Sequence, residues 1–258
     1  MLLTDRVVVV SGVGAGLGQA IAVRSALAGA DVVLAARTES RLVAVAEQVK
    51  AAGRRAVAVP TDITDETSAE RLARITVDEF GRVDTLVNNA FAMPPMRDLV
   101  KVDLDALRAS FETNVFAALR LARLFAPALV ETRGSIVMIN SAVLRHSRRT
   151  FGAYKMAKAS LLALAQSLSS ELGPRGVRVN SVAPSYIWAN TLKLYFEYLA
   201  AKREVPADQI YYETAATTDL RRLPEPDEIA DAVVFLASDM ARAITGQCLD
   251  VNAGEFHH

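Results

Sequence analysis

One cysteine, Cys248, stands in the 258 residues, so no internal disulfide can form. His146 is the only histidine before the last two positions, which leaves no His/Cys cluster with the spacing of a zinc site. Neither sign of charge is in excess: 29 basic and 29 acidic residues balance to zero. That excludes the electrostatic footprint of a nucleic-acid binder and any polybasic membrane patch. Long hydrophobic runs are missing too. "RVVVVSG" and "ADVVLAAR" stop far short of the roughly 20 apolar residues that span a bilayer, so no membrane partner is expected. The opening "MLLTDRVVVV" lacks a basic segment, an extended apolar core and a cleavage site, so no signal peptide is expected and the protein reads as cytoplasmic. Low-complexity tracts, solenoid repeats and a Pro/Gly linker are absent, which makes a single domain over 1–258 the economical reading.

What is present is an alternation. Short β-branched runs ("RVVVVSG", "DVVLAAR", "RAVAVPTD", "VDTLVNN") are followed by segments of helical period at 16–29, 38–52, 65–80 and, as one long helix, from about 103. The pattern continues through "GSIVMINS", a helix over 151–172, "GVRVNSVAP", a helix over about 226–237 and "QCLDVN". Strands that are hydrophobic without interruption are buried on both faces, and helices between them force parallel pairing through right-handed crossovers. The fold class is therefore α/β, a doubly wound parallel sheet of about seven strands with helices on both faces. The irregular region 185–224, rich in Tyr and Leu, follows a strand end, where open α/β sheets keep their ligand crevice. It reads as a substrate lid.

"VVVVSGVGAGLGQAIA" places Gly12, Gly16 and Gly18 between a strand and the opening of a helix. Glycines there allow a tight turn and close approach to a pyrophosphate, while the helix N-terminus offers unpaired N–H groups. About 20 residues on, NAD sites place an acid for the ribose 2′-hydroxyl, whereas an arginine suits a 2′-phosphate. In "LAARTES" Ala36 takes the acid's place and Arg37 follows, which favours NADP(H) over NAD(H) as the cofactor. An arginine can also stack on adenine without reading a phosphate, so NAD(H) is the alternative.

In "GAYKMAKASLLALAQSL", Tyr154 and Lys158 lie four residues apart in an otherwise small and apolar helix. That spacing stacks two side chains on one face, either as one chemical unit or as a surface tyrosine over a lysine stem.

Taken together, these motifs resemble those of the short-chain dehydrogenase/reductase family over almost the whole chain. Residues 11–18 match T-G-x-x-x-G-x-G with Ser11 for threonine, Asp62 matches the acid that holds adenine, and "NNAF" at 88–91 matches N-N-A-G. "TNVF" supplies Asn114, Ser141 precedes Tyr154 by thirteen residues, and Lys158 completes Y-x-x-x-K. The resemblance implies a Rossmann-type oxidoreductase with cofactor contacts at Ser11, Gly12, Gly14, Gly16, Leu17, Gly18, Arg37, Asp62, Ile63, Asn89 and Ile187. It implies Tyr154 as general acid/base, Ser141 on the substrate oxygen, Lys158 on the nicotinamide ribose and lowering the tyrosine pKa, and Asn114 supporting a proton-relay water. It also implies a homotetramer or homodimer, with the helices at 103–130 and 151–172 forming one interface and the last strand another. The reaction expected is ketone and secondary-alcohol interconversion on a small apolar substrate. The other reading is a dinucleotide-binding sensor or scaffold without turnover.

Bringing tyrosine from about 10 to about 7 requires about 4 kcal/mol. A lysine charge about 4 Å away supplies about 1 kcal/mol in water but about 4 kcal/mol at an effective dielectric of about 20, so the site must exclude water. Three positions depart from the family pattern: Phe91 for glycine, Ser185 for the glycine after Pro184, and Ala189 for threonine, with Thr191 two residues later. His146 reads as a pocket contact or a solvated loop residue, and the arginines of "RHSRRT" as a basic loop or an attractor for an acidic substrate. Tyr186, Trp188, Tyr195, Phe196 and Tyr198 either line a hydrophobic ligand site or pack the lid.

Overall fold

The computed structural model describes residues 1–257. Seven parallel strands form one sheet: β1 (Val7–Ser11), β2 (Asp31–Ala36), β3 (Ala56–Pro60), β4 (Thr85–Asn88), β5 (Ser135–Ile139), β6 (Arg178–Pro184) and β7 (Cys248–Val251). Their spatial order is β3-β2-β1-β4-β5-β6-β7, so the chain reverses direction across the sheet between β1 and β4. This is the doubly wound arrangement expected, with its ligand crevice outside the carboxyl ends of the strands at the switch point.

Alternation along each strand divides the core in two. Val8, Val10, Val32, Leu34, Val137 and Val182 face one layer, built by α1 (Leu17–Leu27), α2 (Glu39–Ala51) and α9 (Pro226–Ala237). Val7, Val9, Val33, Leu86, Ile136 and Val179 face the other, built by α3 (Glu66–Phe80), α5 (Ala117–Thr132) and α6 (Gly152–Leu172). Both sets are apolar, which is why the strands read as unbroken hydrophobic runs. Local chemistry sets the helix ends. Asp65 caps α3 by accepting from Ser68 N at 2.7 Å and Gly81 closes it at φ 67°, while Glu225 and Glu228 form a capping box around Pro226 at the start of α9.

The long helix expected from about 103 is broken. It begins as α4 (Leu104–Phe111), passes through a π-turn at Glu112–Phe116 and continues as α5. By length and composition the stretch Leu104–Thr132 could cross a membrane; in the fold its Leu121, Phe125 and Leu129 are fully buried against the sheet.

The segment 185–224 contains α7 (Asn190–Arg203) and α8 (Ala207–Ala215), closed on a small core of their own made by Phe196, Ala200, Ile210, Ala215 and Leu223. Trp188 packs edge-on to Tyr211 at 4.6 Å and lies 5.6 Å from Phe196, with Tyr186 at 6.4 Å from the same ring. Of the aromatics noted in the sequence, Tyr186, Trp188 and Phe196 thus pack this segment, whereas Tyr195 and Tyr198 stay exposed.

Candidate functional site

The glycine loop turns sharply because Gly12 adopts φ 75° and has no side chain: a Cβ there would lie 2.5 Å from Ala90 Cα. At Gly18 a Cβ would meet Gly12 O at 2.4 Å, so α1 can approach the loop only with glycine at that position. Asn89 braces the turn from β4, donating its Nδ2 to Gly12 O (2.8 Å) and Ser11 O (3.2 Å). Ser11 is wholly buried behind the loop. Its hydroxyl donates to Val87 O at 3.3 Å and accepts from Asn89 N at 3.3 Å, so the side chain joins β1 to β4 and does not face the groove. No side chain caps the start of α1 at Gly16; Gln19 N donates to Gly14 O at 3.2 Å, which leaves the N–H groups of Leu17 and Gly18 for an anion.

In front of this loop runs a groove of about 460 Å³. Gly12, Gly14, Leu17 and Gly18 form its floor, Arg37, Asp62 and Ile63 one end, and Asn89 and Phe91 the other. Two Thr64 hydrogen bonds to Asp62 Oδ1, from the hydroxyl (2.7 Å) and the backbone N (2.9 Å), hold that carboxyl below its ordinary pKa, and the Arg37 charge adds to the effect. Residues not anticipated from the sequence line the same groove: Thr38, Arg41 and Thr113. Thr38 opens α2 without capping it, and Arg41 lies in the first turn, so two exposed guanidiniums and a helix N-terminus converge beyond Ala36. An arginine four residues after Arg37, at a helix start, was the available signal.

Ser141, Tyr154 and Lys158 meet at the end of β5. Ser141 caps the short 3₁₀ turn Ala142–Arg145, its Oγ accepting from Val143 N at 3.2 Å, and its hydroxyl is near enough to Tyr154 to act on the phenol's pKa. Lys158, only 3% exposed, donates from Nζ to Ile139 O at 2.8 Å and lies 5.9 Å from both the Tyr154 and Phe91 ring centroids. Phe91 therefore forms a wall common to the groove and the lysine. Burial pushes Lys158 down to about 8. Burial also raises Tyr154 above its ordinary value, against the lowering effect of Ser141. The expected lowering of the tyrosine by Lys158 is not seen here, where the ammonium turns to the Ile139 carbonyl and burial and Ser141 are the influences on the phenol.

Asn114 sits in the π-turn, a common irregularity at functional sites. Its Nδ2 is within bonding distance of Ala92 O (2.7 Å), Ser110 O (2.8 Å) and Ser110 Oγ (3.1 Å), and its Oδ1 is buried with no partner among the described residues. Ser185 Oγ is likewise buried and unpartnered at the end of β6. Ile187 packs partly into the core below, and Ala189 approaches the loop: a Cβ on Gly16 would lie 3.5 Å from that of Ala189.

His146 is held between Phe151 (5.4 Å) and Phe256 (5.5 Å), and burial lowers its pKa. The arginines around it are paired: Arg145 with Asp250 at 3.0 Å, Arg148 with Glu255 at 3.1 Å and Arg149 with Asp98 at 2.5 Å. They form a braced loop and leave little charge to attract an acidic substrate.

Comparison with known proteins agrees with this arrangement. A family model described as enoyl-(acyl carrier protein) reductase matches residues 12–255. An uncharacterised oxidoreductase of Mycobacterium tuberculosis is 40% identical over 98% of this chain and 92% of its own length. The L-rhamnose 1-dehydrogenase (NAD(P)(+)) of Azotobacter vinelandii is 36% identical over 99% of this chain and 98% of its own. Among solved structures, a 7α-hydroxysteroid dehydrogenase complexed with NADH and 7-oxo glycochenodeoxycholic acid superposes with a TM-score of 0.88 at 31% identity, covering 98% of this chain and 94% of that one. With a glycine loop opening α1, a Ser-Tyr-Lys set at the end of β5 and these relatives along nearly its full length, the chain belongs to the short-chain dehydrogenase/reductase family.

Proposed function

We propose that this protein is an NADP(H)-dependent oxidoreductase that interconverts a ketone and a secondary alcohol on an apolar substrate, with Tyr154 as the general acid/base. The observation that carries the proposal is the buried Lys158 held 5.9 Å from the Tyr154 ring, with Ser141 beside the phenol and Phe91 linking the lysine to the glycine-loop groove. The groove fits a dinucleotide. Gly12 and Gly18 leave backbone where a Cβ would collide, α1 presents uncapped N–H groups to a pyrophosphate, and Asp62 keeps one oxygen for an adenine amine. Arg37, Arg41 and the α2 N-terminus suit a 2′-phosphate, which supports NADP(H) over NAD(H).

When bound, the nicotinamide supplies hydride exchange with the substrate carbon. The chain's own groups handle the oxygen. Ser141 donates to it, and Tyr154 gives or takes its proton. A phenol raised by burial is protonated at neutral pH, the state an acid needs for ketone reduction. Asn114 Oδ1, buried and unpartnered, offers an acceptor for a relay water behind Lys158. The segment 185–224 acts as the lid: Ala189 comes down on the glycine loop, and Leu194, Tyr195 and Tyr198 expose apolar area on α7. Phe91, Met93 and Met96 do the same on the loop after β4, so an apolar substrate would meet both. A homotetramer, or a homodimer, would cover the exposed Leu104, Phe116 and Met156 along α4, the π-turn and α6, which flank one shallow groove.

The test is turnover of lipophilic ketones with NADPH by the wild type and by Tyr154→Phe. The variant should bind NADPH as the wild type does and lose about 10²-fold or more in kcat. Unchanged kcat would sink the assignment.

A further inference from the structure

Arg120 on α5 joins two parts of the groove that the chain keeps far apart. Its Nη1 donates to Ile63 O at 3.0 Å, beside Asp62, and its Nη2 to Glu112 Oε1 at 3.0 Å, at the start of the π-turn. Asn114 and the groove-lining Thr113 lie within that turn.

The pairing of Glu112 with Arg120 depends on the π-turn. In an uninterrupted α-helix, eight residues at about 100° each leave two side chains about 80° apart around the axis. A π-turn absorbs one extra residue, so the pair behaves as if seven apart, about 20° from alignment and two turns along. Relaxation of the turn to α-helix would rotate Glu112 away from the guanidinium and turn Asn114 away from Ala92 O. The ion pair therefore holds the irregularity in place, while the second arm of the same guanidinium holds the loop after β3.

We propose that Arg120 is a positioning residue that fixes the π-turn carrying Asn114 and ties it to the Asp62–Thr64 loop. Filling the adenine end of the groove then stiffens the turn that presents Asn114. The proposal rests on the reading that the groove holds a dinucleotide. A planar, two-armed guanidinium suits the task, because it spans both acceptors with little freedom to lose, whereas a lysine reaches one.

The test is amide hydrogen exchange of the full chain with and without an adenosine nucleotide lacking nicotinamide: ADP or adenosine 2′,5′-bisphosphate, whichever binds more tightly. In the wild type the nucleotide should slow exchange at both 12–18 and 112–116. Arg120→Gln should keep the protection at 12–18 and lose about fivefold or more of the nucleotide-dependent protection at 112–116, with Glu112→Gln giving the same result. A purely structural role would raise exchange at 112–116 equally with and without nucleotide and leave the ratio unchanged, which would overturn the proposal. Wild-type protection at 12–18 with none at 112–116 would overturn it alone. Protection at neither segment would remove the dinucleotide reading and the proposal with it.

Discussion

Lys158 is the residue at which function and stability oppose each other most directly. An ammonium buried to 3% exposure, answered by one carbonyl at 2.8 Å, has its pKa pushed down to about 8. The folded state then binds fewer protons than the unfolded chain between about pH 8 and the ordinary value of 10.5, so this group's penalty is full below 8 and fades as pH rises through that window. The wild type should therefore gain about 2 kcal/mol relative to Lys158→Met between pH 7.5 and 9.5, measured by urea unfolding. A difference that stays constant over that range would show that burial does not perturb the lysine. The Y-x-x-x-K spacing is legible in the sequence because helical period alone puts both side chains on one face. The direction of the tyrosine shift is not, because it depends on how deeply the folded chain buries the phenol.

Elements differ in how far the pattern of residues foretells them. Strands β1, β2 and β5 and helices α1, α2, α6 and α9 follow from apolar period and from glycine or proline at their ends. The π-turn at Glu112–Phe116 does not, since "ETNVF" contains no helix breaker and the irregularity is held by the side chains of Arg120 and Asn114. The segment 185–224 shows the same limit. Its aromatics are obvious in the sequence, but which of them pack inward is decided by α7 meeting α8, with Phe196 at the centre of a core separate from those of the sheet. Such a small, detached core forms a unit that can open locally. Phe196→Ala should consequently raise the KM for an apolar ketone about tenfold while moving the main thermal transition little, as read by steady-state kinetics beside calorimetry. A large fall in the main transition with KM unchanged would show that α7 and α8 are part of the body and not a lid.

At the scale of the whole molecule, the alternation of unbroken strands with helices sets a doubly wound sheet, and the switch point between β1 and β4 opens the crevice where such sheets take a ligand. Exposed Leu104, Phe116 and Met156 argue for assembly. Sedimentation should give a tetramer or dimer for the wild type and smaller species for Phe116→Lys, whereas a monomeric wild type would leave that apolar face without a partner. What the composition could not supply is the second arginine at the Arg37 end of the groove, because Arg41 joins Arg37 only once α2 is folded. The most direct measurement is therefore a titration of the protein with NADPH and with NADH, followed by nicotinamide fluorescence and repeated on Arg37→Asp. The account predicts NADPH binding about tenfold or more tighter, a difference of about 1.4 kcal/mol, with the preference lost or reversed in the variant. NADH binding as tightly as NADPH to the wild type, or neither binding, would contradict it.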